Sequence, residues 1–333
     1  MAPGAIGGMV LPALIYFGFN FGGEGTRGWG IPMATDIAFA LGVLALLGDR
    51  IPSQLRMFLL AVAMVDDIGA ILVIAVFYTS ELSWILLGVA ALLLGVIMAM
   101  LKGGMRNPFS YLVMAVLFWG AVHESGVHAT LAGVVLGVIT PARSWFSEQA
   151  FAESAGRDLR DLRHALDRED YEAAGATVGR IEELARTTEA SLDRLERTVH
   201  PWVSFVVLPL FALVNAGVTF STDMLAKAIA SPVALGVAAG LVIGKMVGIS
   251  LFSWAAVRLG FAHAPEELTW RHQIGVALLG GIGFTVALFI TELAFQDGTL
   301  VEEAKVGIFA ASLFAGLAGY GALRLGPGPR QDR

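Results

Sequence analysis

Two aspartates, Asp66 and Asp67, stand side by side in Met64-Val65-Asp66-Asp67-Ile68-Gly69, near the middle of a long apolar run. An ionisable side chain at membrane depth costs at least about 2.5 kcal/mol and usually faces a partner or a water-filled cavity. Two further charges share that setting: Lys245 in Ile243-Gly244-Lys245-Met246, and Asp36, which follows Thr35 in Ala34-Thr35-Asp36-Ile37. Adjacent carboxylates repel one another when both are ionised, so the pair is a proton store that a hard cation can discharge. Hard cations take oxygen ligands, which aspartates, a threonine hydroxyl and freed carbonyls supply. The chemistry expected is exchange of protons for a small cation. If both carboxylates release protons for one sodium, net charge moves and the membrane potential acts on the rate. A structural reading, in which Lys245 neutralises an aspartate to tie helices together, stays open beside it.

Enzyme chemistry finds no support. The chain has no cysteine, and no nucleophile elbow, phosphate-binding loop or metal-binding histidine pair is present. An intramembrane aspartyl protease needs its aspartates on two facing helices, one in a Gly-Xaa-Gly-Asp setting. Here they are neighbours. No catalytic residue and no cofactor are assigned.

The elements that must position these charges are membrane spans. Of the 333 residues 56% are hydrophobic and 15% charged, with a mean hydropathy of +0.72, against about 25% charged in soluble domains. Of the 50 Lys, Arg, Asp and Glu residues, 22 fall between Pro141 and His200. A bilayer core needs about 20 mostly apolar residues per helix. Ten such stretches are predicted, at 5–22, 31–48, 55–79, 83–101, 110–122, 127–141, 201–220, 231–257, 274–295 and 305–325. The fifth and sixth are short, and the break His123-Glu124-Ser125-Gly126 between them could lie inside the membrane. Cytoplasmic loops carry the positive charge. With a cytoplasmic N-terminus the inside holds Arg50, Arg56, Lys102, Arg106, the arginine-rich 141–200 segment, Arg258, Arg271, Arg324, Arg330 and Arg333, whereas the outside holds only Arg27, Lys227 and Lys305. The expectation is an all-α polytopic protein of a bacterial inner membrane with both termini cytoplasmic. Residues 1–140 carry six spans, 141–200 a charged cytoplasmic helical insertion, 201–325 four spans, and 326–333 a cytoplasmic tail. The net charge of −6 comes with no basic stripe, so nucleic acid is excluded as a partner.

The third span runs outward with Asp66 and Asp67, and the eighth runs inward with Lys245. The second, with Thr35-Asp36, and the ninth, with Gly281-Ile282-Gly283-Phe284-Thr285, are likewise opposed. The first and last three spans therefore read as inverted repeats. The middle member of each is interrupted, the sign of a broken helix whose freed carbonyls and half-helix ends meet an ion. Close helix packing through small residues explains either glycine cluster taken alone.

Five motifs, Gly30-Ile31-Pro32-Met33-Ala34-Thr35-Asp36-Ile37-Ala38-Phe39-Ala40-Leu41-Gly42, Val65-Asp66-Asp67-Ile68-Gly69-Ala70, Ser125-Gly126-Val127-His128-Ala129-Thr130-Leu131-Ala132-Gly133, His200-Pro201-Trp202 and Gly281-Ile282-Gly283-Phe284-Thr285, closely resemble those of the NhaA-type sodium/proton antiporters. The resemblance covers nearly the whole chain outside 145–195. Inverted repeats are an established feature of that family, so the two observations are not independent. The resemblance implies electrogenic, pH-regulated exchange of cytoplasmic Na+ or Li+ for external H+. It makes Asp67 the principal cation ligand, Asp66 its partner and alternate mate of Lys245, and Thr35 a further ligand. Asp36 and Lys245 would offset the half-helix ends where two broken helices cross, beside Gly281 and Gly283. Glu196, His200 and His128 match positions linked to pH response. For both histidines an anchoring role at the membrane interface stands as the alternative.

Two departures accompany the resemblance. Family members have twelve spans, and this chain begins at their third, which implies a shortened member without the first helical hairpin and a homodimer weakened to that extent. Alternatives are an inactive relic of the fold, or a sodium-coupled solute symporter of similar build. The other departure is the 141–200 insertion. Val178, Ile181, Ala185, Leu192, Leu195 and Val199 fall near heptad spacing, which predicts a helical hairpin packed on itself or on the membrane surface. A solvated linker and a partner-binding element are the two roles considered for it.

Overall fold

In a computed structural model, residues 2–78, 82–103, 105, 107–142, 148–188, 191–215, 217, 227–262 and 269–325 are described. Among them there is helix and no strand. The helices are α1 (Ala2–Asn20), α2 (Ile37–Leu46), α3 (Ser53–Phe77), α4 (Trp84–Lys102), α5 (Pro108–Glu124), α6 (Thr130–Ile139), α7 (Glu148–Asp167), α8 (Tyr171–Thr188), α9 (Ser191–Trp202), α10 (Leu208–Asn215), α11 (Pro232–Ala239), α12 (Lys245–Arg258), α13 (Trp270–Leu279), α14 (Phe284–Ala294) and α15 (Gly298–Arg324). A 3-10 segment, Glu24–Met33, leads towards α2, and π-helical turns at Val203–Val207 and Gly240–Gly244 join α9 to α10 and α11 to α12.

Six helical runs are long and apolar enough to cross a membrane: α1, α3, α4, Leu192–Asn215, Pro232–Arg258 and α15. Two bent pairs, Glu24–Met33 with α2 at 45° and α13 with α14 at 46°, bring the number to eight if each is one span, and Phe109–Glu124 and α6 are shorter apolar helices. The predicted stretches fall on these elements, and the chain is a multi-pass membrane protein. The break between α5 and α6 turns at Gly126, whose φ is 86°, a backbone region that costs glycine little. The end of the seventh predicted span (216 and 218–220), the tail 326–333, Arg106 and Arg143 lie outside the described residues.

The chain divides into two compact units: 1–83, 124–131 and 208–333, and 84–123 with 132–207. In the first, α1 lies against the α11–α12 run. Glycine permits the approach: a Cβ on Gly244 would stand 2.7 Å from the Pro12 Cα, and one on Gly248 would stand 2.7 Å from the Gly7 carbonyl carbon. Tyr16, Ile31, Ile74, Leu241, Leu288 and Ile308 are wholly buried in the core beside them. Side-chain caps fix three helix starts. Ser231 accepts from the Val233 and Ala234 amides, Thr269 and His272 form a reciprocal capping box, and Asp297 accepts from the Thr299 amide at 2.7 Å. Each such cap contributes roughly 0.5–2 kcal/mol.

In the second unit α7 and α8 pack as an antiparallel hairpin, burying Ala165, Ala174 and Thr177. Glu169, at φ 56°, makes the reversal between them. Arg180 on α8 pairs with Asp158 at 3.3 Å and Asp161 at 3.8 Å on α7. The heptad-like series that predicted one packed face is divided: α8 ends at Thr188 and α9 starts at Ser191, and Val178, Leu195 and Val199 are exposed while Ile181 is half-buried.

Candidate cation site

The two bent spans meet at their breaks. Ala34, Thr35 and Asp36 are extended between the 3-10 segment and α2. The Asp36 amide donates to the Ile282 carbonyl at 2.5 Å. Its carboxylate serves both half-helices. Oδ1 accepts from the Phe39 amide at 3.1 Å as the cap of α2, and Oδ2 accepts from the Thr285 amide at 2.9 Å and the Thr285 hydroxyl at 2.5 Å at the start of α14. A carboxylate between two helix N-termini is stabilised by both dipoles. Asp36 is thus satisfied at both oxygens.

Gly281 and Gly283 hold the break against the π turn of the neighbouring span. A Cβ on Gly281 would collide with the Leu241 carbonyl oxygen, and one on Gly283 would stand 2.8 Å from the Leu241 Cδ2. Both glycines are therefore sites of close packing as well as of chain reversal, and their neighbour is the turn that delivers Lys245. The Lys245 amide donates to the Gly240 carbonyl, five residues back, and such π turns are frequent at functional sites.

The Lys245 side chain is wholly buried, and its ammonium donates to Asp66 Oδ2 at 2.5 Å and to the Thr35 hydroxyl at 3.0 Å. That hydroxyl has one proton and two acceptors in reach, Asp66 Oδ2 at 3.1 Å and the Gly280 carbonyl at 2.8 Å. Asp66 is also wholly buried. Its second oxygen, Oδ1, and Oδ1 of Asp67 are buried without a hydrogen-bond partner. A Cβ on Gly8 would stand 3.6 Å from Asp66 Oδ1, so the α1 backbone forms the floor beneath it.

Asp66, Thr35 and Lys245 therefore share one hydrogen-bonded group, with Asp67 next in the chain and Asp36 adjoining Thr35 at the break. Among the described residues no group of three or more His, Cys, Asp or Glu side chains could hold a metal ion. The donors at hand are two carboxylates, a hydroxyl and freed carbonyls, a set suited to a hard cation held in passing. Thr285 and the Gly280 carbonyl were not singled out from the sequence. The first had a signal, a threonine just after the Gly-Ile-Gly break. The second is main chain and had none.

The residues matched to pH response fall in both units, His128 in the first and Glu196 and His200 in the second. His128 bonds the Thr130 hydroxyl at 2.9 Å and meets the Phe289 ring edge-on at 5.2 Å. Glu196 and His200 lie on α9, in the second unit, where with Asp193, Arg197 and Pro201 they line an open cavity of about 520 Å³.

A family profile described as Na+/H+ antiporter 1 matches residues 2–323. Among curated relatives, a Na+/H+ antiporter NhaA of Syntrophobacter fumaroxidans is 47% identical over 98% of this chain and 71% of its own length. One of Rhodopirellula baltica is 44% identical over 96% and 71%, and a Na+/H+ antiporter NhaA 3 of Frankia alni is 46% identical over 97% and 68%.

Proposed function

We propose, since this chain belongs to the Na+/H+ antiporter 1 family, that it exchanges cytoplasmic sodium or lithium for external protons across a bacterial inner membrane. It is a transporter and not an enzyme. Asp67 is the principal cation ligand, with Asp66 and Thr35 completing the site from the protein side. The observation that carries this reading is the pair of buried oxygens, one on each adjacent aspartate, that have no protein partner beside an ion pair that is wholly buried. Buried polar atoms are nearly always bonded, so two orphans on neighbouring carboxylates point to a ligand.

Charge compensation supports the assignment. Asp36 is offset by two half-helix N-termini, and Asp66 by Lys245. Asp67 feels Lys245 without the direct ion-pair contact that Asp66 has, so its charge is the one that a proton or a sodium ion must meet. A cation that draws in Asp66 as well releases Lys245. Asp66 is already ionised in that pair, so Asp67 gives up one proton and the released Lys245 ammonium a second, and two protons for each sodium make the exchange electrogenic. Glu196, His200 and His128 are assigned to pH response. Residues 1–140 and 201–325 form the transport body with both termini cytoplasmic, 141–200 is a cytoplasmic insertion and 326–333 is a tail.

The test is antiport in everted membrane vesicles from an antiporter-deficient host, energised and followed by fluorescence dequenching on addition of sodium, lithium or potassium. Sodium- and lithium-dependent dequenching that disappears in Asp67→Asn is the expected result. No response from a folded, membrane-inserted protein would overturn the reading.

A further inference from the structure

The α7–α8 hairpin has two unlike faces. Arg180, Asp158 and Asp161 meet on one of them. On the other, large apolar side chains stand in solvent: Leu159 is 57% exposed, Leu166 51%, Tyr171 75% and Val178 51%. Their spacing is regular. Leu159 and Leu166 are seven residues apart on α7, as are Tyr171 and Val178 on α8, and exposed Ala152 and Ala185 extend each series by another seven. Positions seven apart stay within about 20° of one another on a helix surface. Counted from the reversal at 168–170, Leu166 stands level with Tyr171, Leu159 with Val178 and Ala152 with Ala185. The exposed face is a three-layer seam shared by two antiparallel helices.

Such a seam is one half of a four-helix bundle. We propose that it docks the same hairpin of a second copy of this chain. Charge argues against a lipid surface as the occupant. Residues 148–188 hold ten Asp or Glu against six Arg and no Lys, whereas surface helices on anionic membranes are rich in Lys and Arg. Size is adequate for a self-complementary contact. A 20-residue α7 is about 30 Å long, and two helices side by side present a face of roughly 600 Å², so two faces bury about 1,200 Å², the lower bound for stable interfaces. Anchoring in one membrane favours the pairing further, because it holds both copies in a common orientation at high effective concentration. The proposal is independent of what the membrane-spanning body transports.

The chain has no cysteine, so single substitutions report contacts cleanly. Leu159→Cys, Leu166→Cys, Tyr171→Cys and Val178→Cys, each in the full-length protein in native membranes, are treated with a short bismaleimide. His164→Cys and Arg157→Cys probe the opposite side. Cross-linked dimer from the first four at several times the yield of the last two is the expected result, and equal yields would overturn the proposal. The double variant Leu159→Asp/Leu166→Asp, carrying Val178→Cys as reporter, should lose the cross-link at least tenfold, while Leu159→Met/Leu166→Met with the same reporter should keep it. Loss in both, with the hairpin still protease-resistant, would refute the seam as the contact. Labelling of the four positions by a lipid-borne photoprobe in place of cross-linking would assign the face to the bilayer instead.

Discussion

Replacement of Lys245 by methionine removes the ammonium from a pair in which neither side chain is exposed, while keeping most of the aliphatic volume. Asp66 Oδ2 then retains one donor, the Thr35 hydroxyl at 3.1 Å, and that single proton is contested by the Gly280 carbonyl at 2.8 Å. Oδ1 already has no partner. An unpaired buried charge of this kind costs about 3–5 kcal/mol, whereas exchanging both partners for apolar or neutral groups of similar volume is often neutral. Lys245→Met should therefore lower stability by about 3–5 kcal/mol, at least a hundredfold in the folding equilibrium. Asp66→Asn/Lys245→Met should recover most of that loss. Equilibrium unfolding in mixed micelles at fixed detergent, followed by tryptophan fluorescence, measures both and their coupling. A single variant no less stable than the double one would show that the pair is not held as an ion pair in the folded state, and would refute the charge compensation argued above.

Three further outcomes follow from the geometry. Gly248→Ala should cost about 1–3 kcal/mol by overpacking, because the new methyl meets the main chain of Gly7, and the same unfolding assay reads it. Thr285→Val keeps the shape but removes the hydroxyl that donates to Asp36 Oδ2; a loss of about 1.5–3 kcal/mol is expected, and the effect should shrink in an Asp36→Asn background. Arg180→Ala should change stability by less than about 1 kcal/mol, since its side chain is 53% exposed, and thermal melts of the two proteins should nearly superimpose.

Which features were legible in the sequence follows from what lipid penalises. A charge inside a membrane span is so costly that Asp36, Asp66, Asp67 and Lys245 declared themselves, and the double interruption at Thr35-Asp36 and Gly281–Gly283 marked where they meet. The π turn did not declare itself. Gly240 and Gly244 are four apart, the same spacing that small residues use to pack ordinary helices, and a shift of hydrogen bonding from four residues back to five changes no residue type. The Gly280 carbonyl was hidden for a similar reason, being main chain. The hairpin was visible as charge with an apolar period. The period alone could not tell Ile181, which is half-buried, from Val178, which is exposed, because which flank of a helix is covered depends on the partner's position.

The π turn also makes a statement about chain length. A five-residue turn where four would nearly suffice stores one surplus residue between the Ser231 cap and Lys245. Loss of one residue within Gly240–Gly244 can be absorbed by relaxation to an ordinary α turn, leaving Lys245 aimed at Asp66. Loss of one residue elsewhere in the span has no such reserve and swings the ammonium about 100° around the helix axis. Homologous chains should therefore differ in length by single residues at this turn and nowhere else along the span.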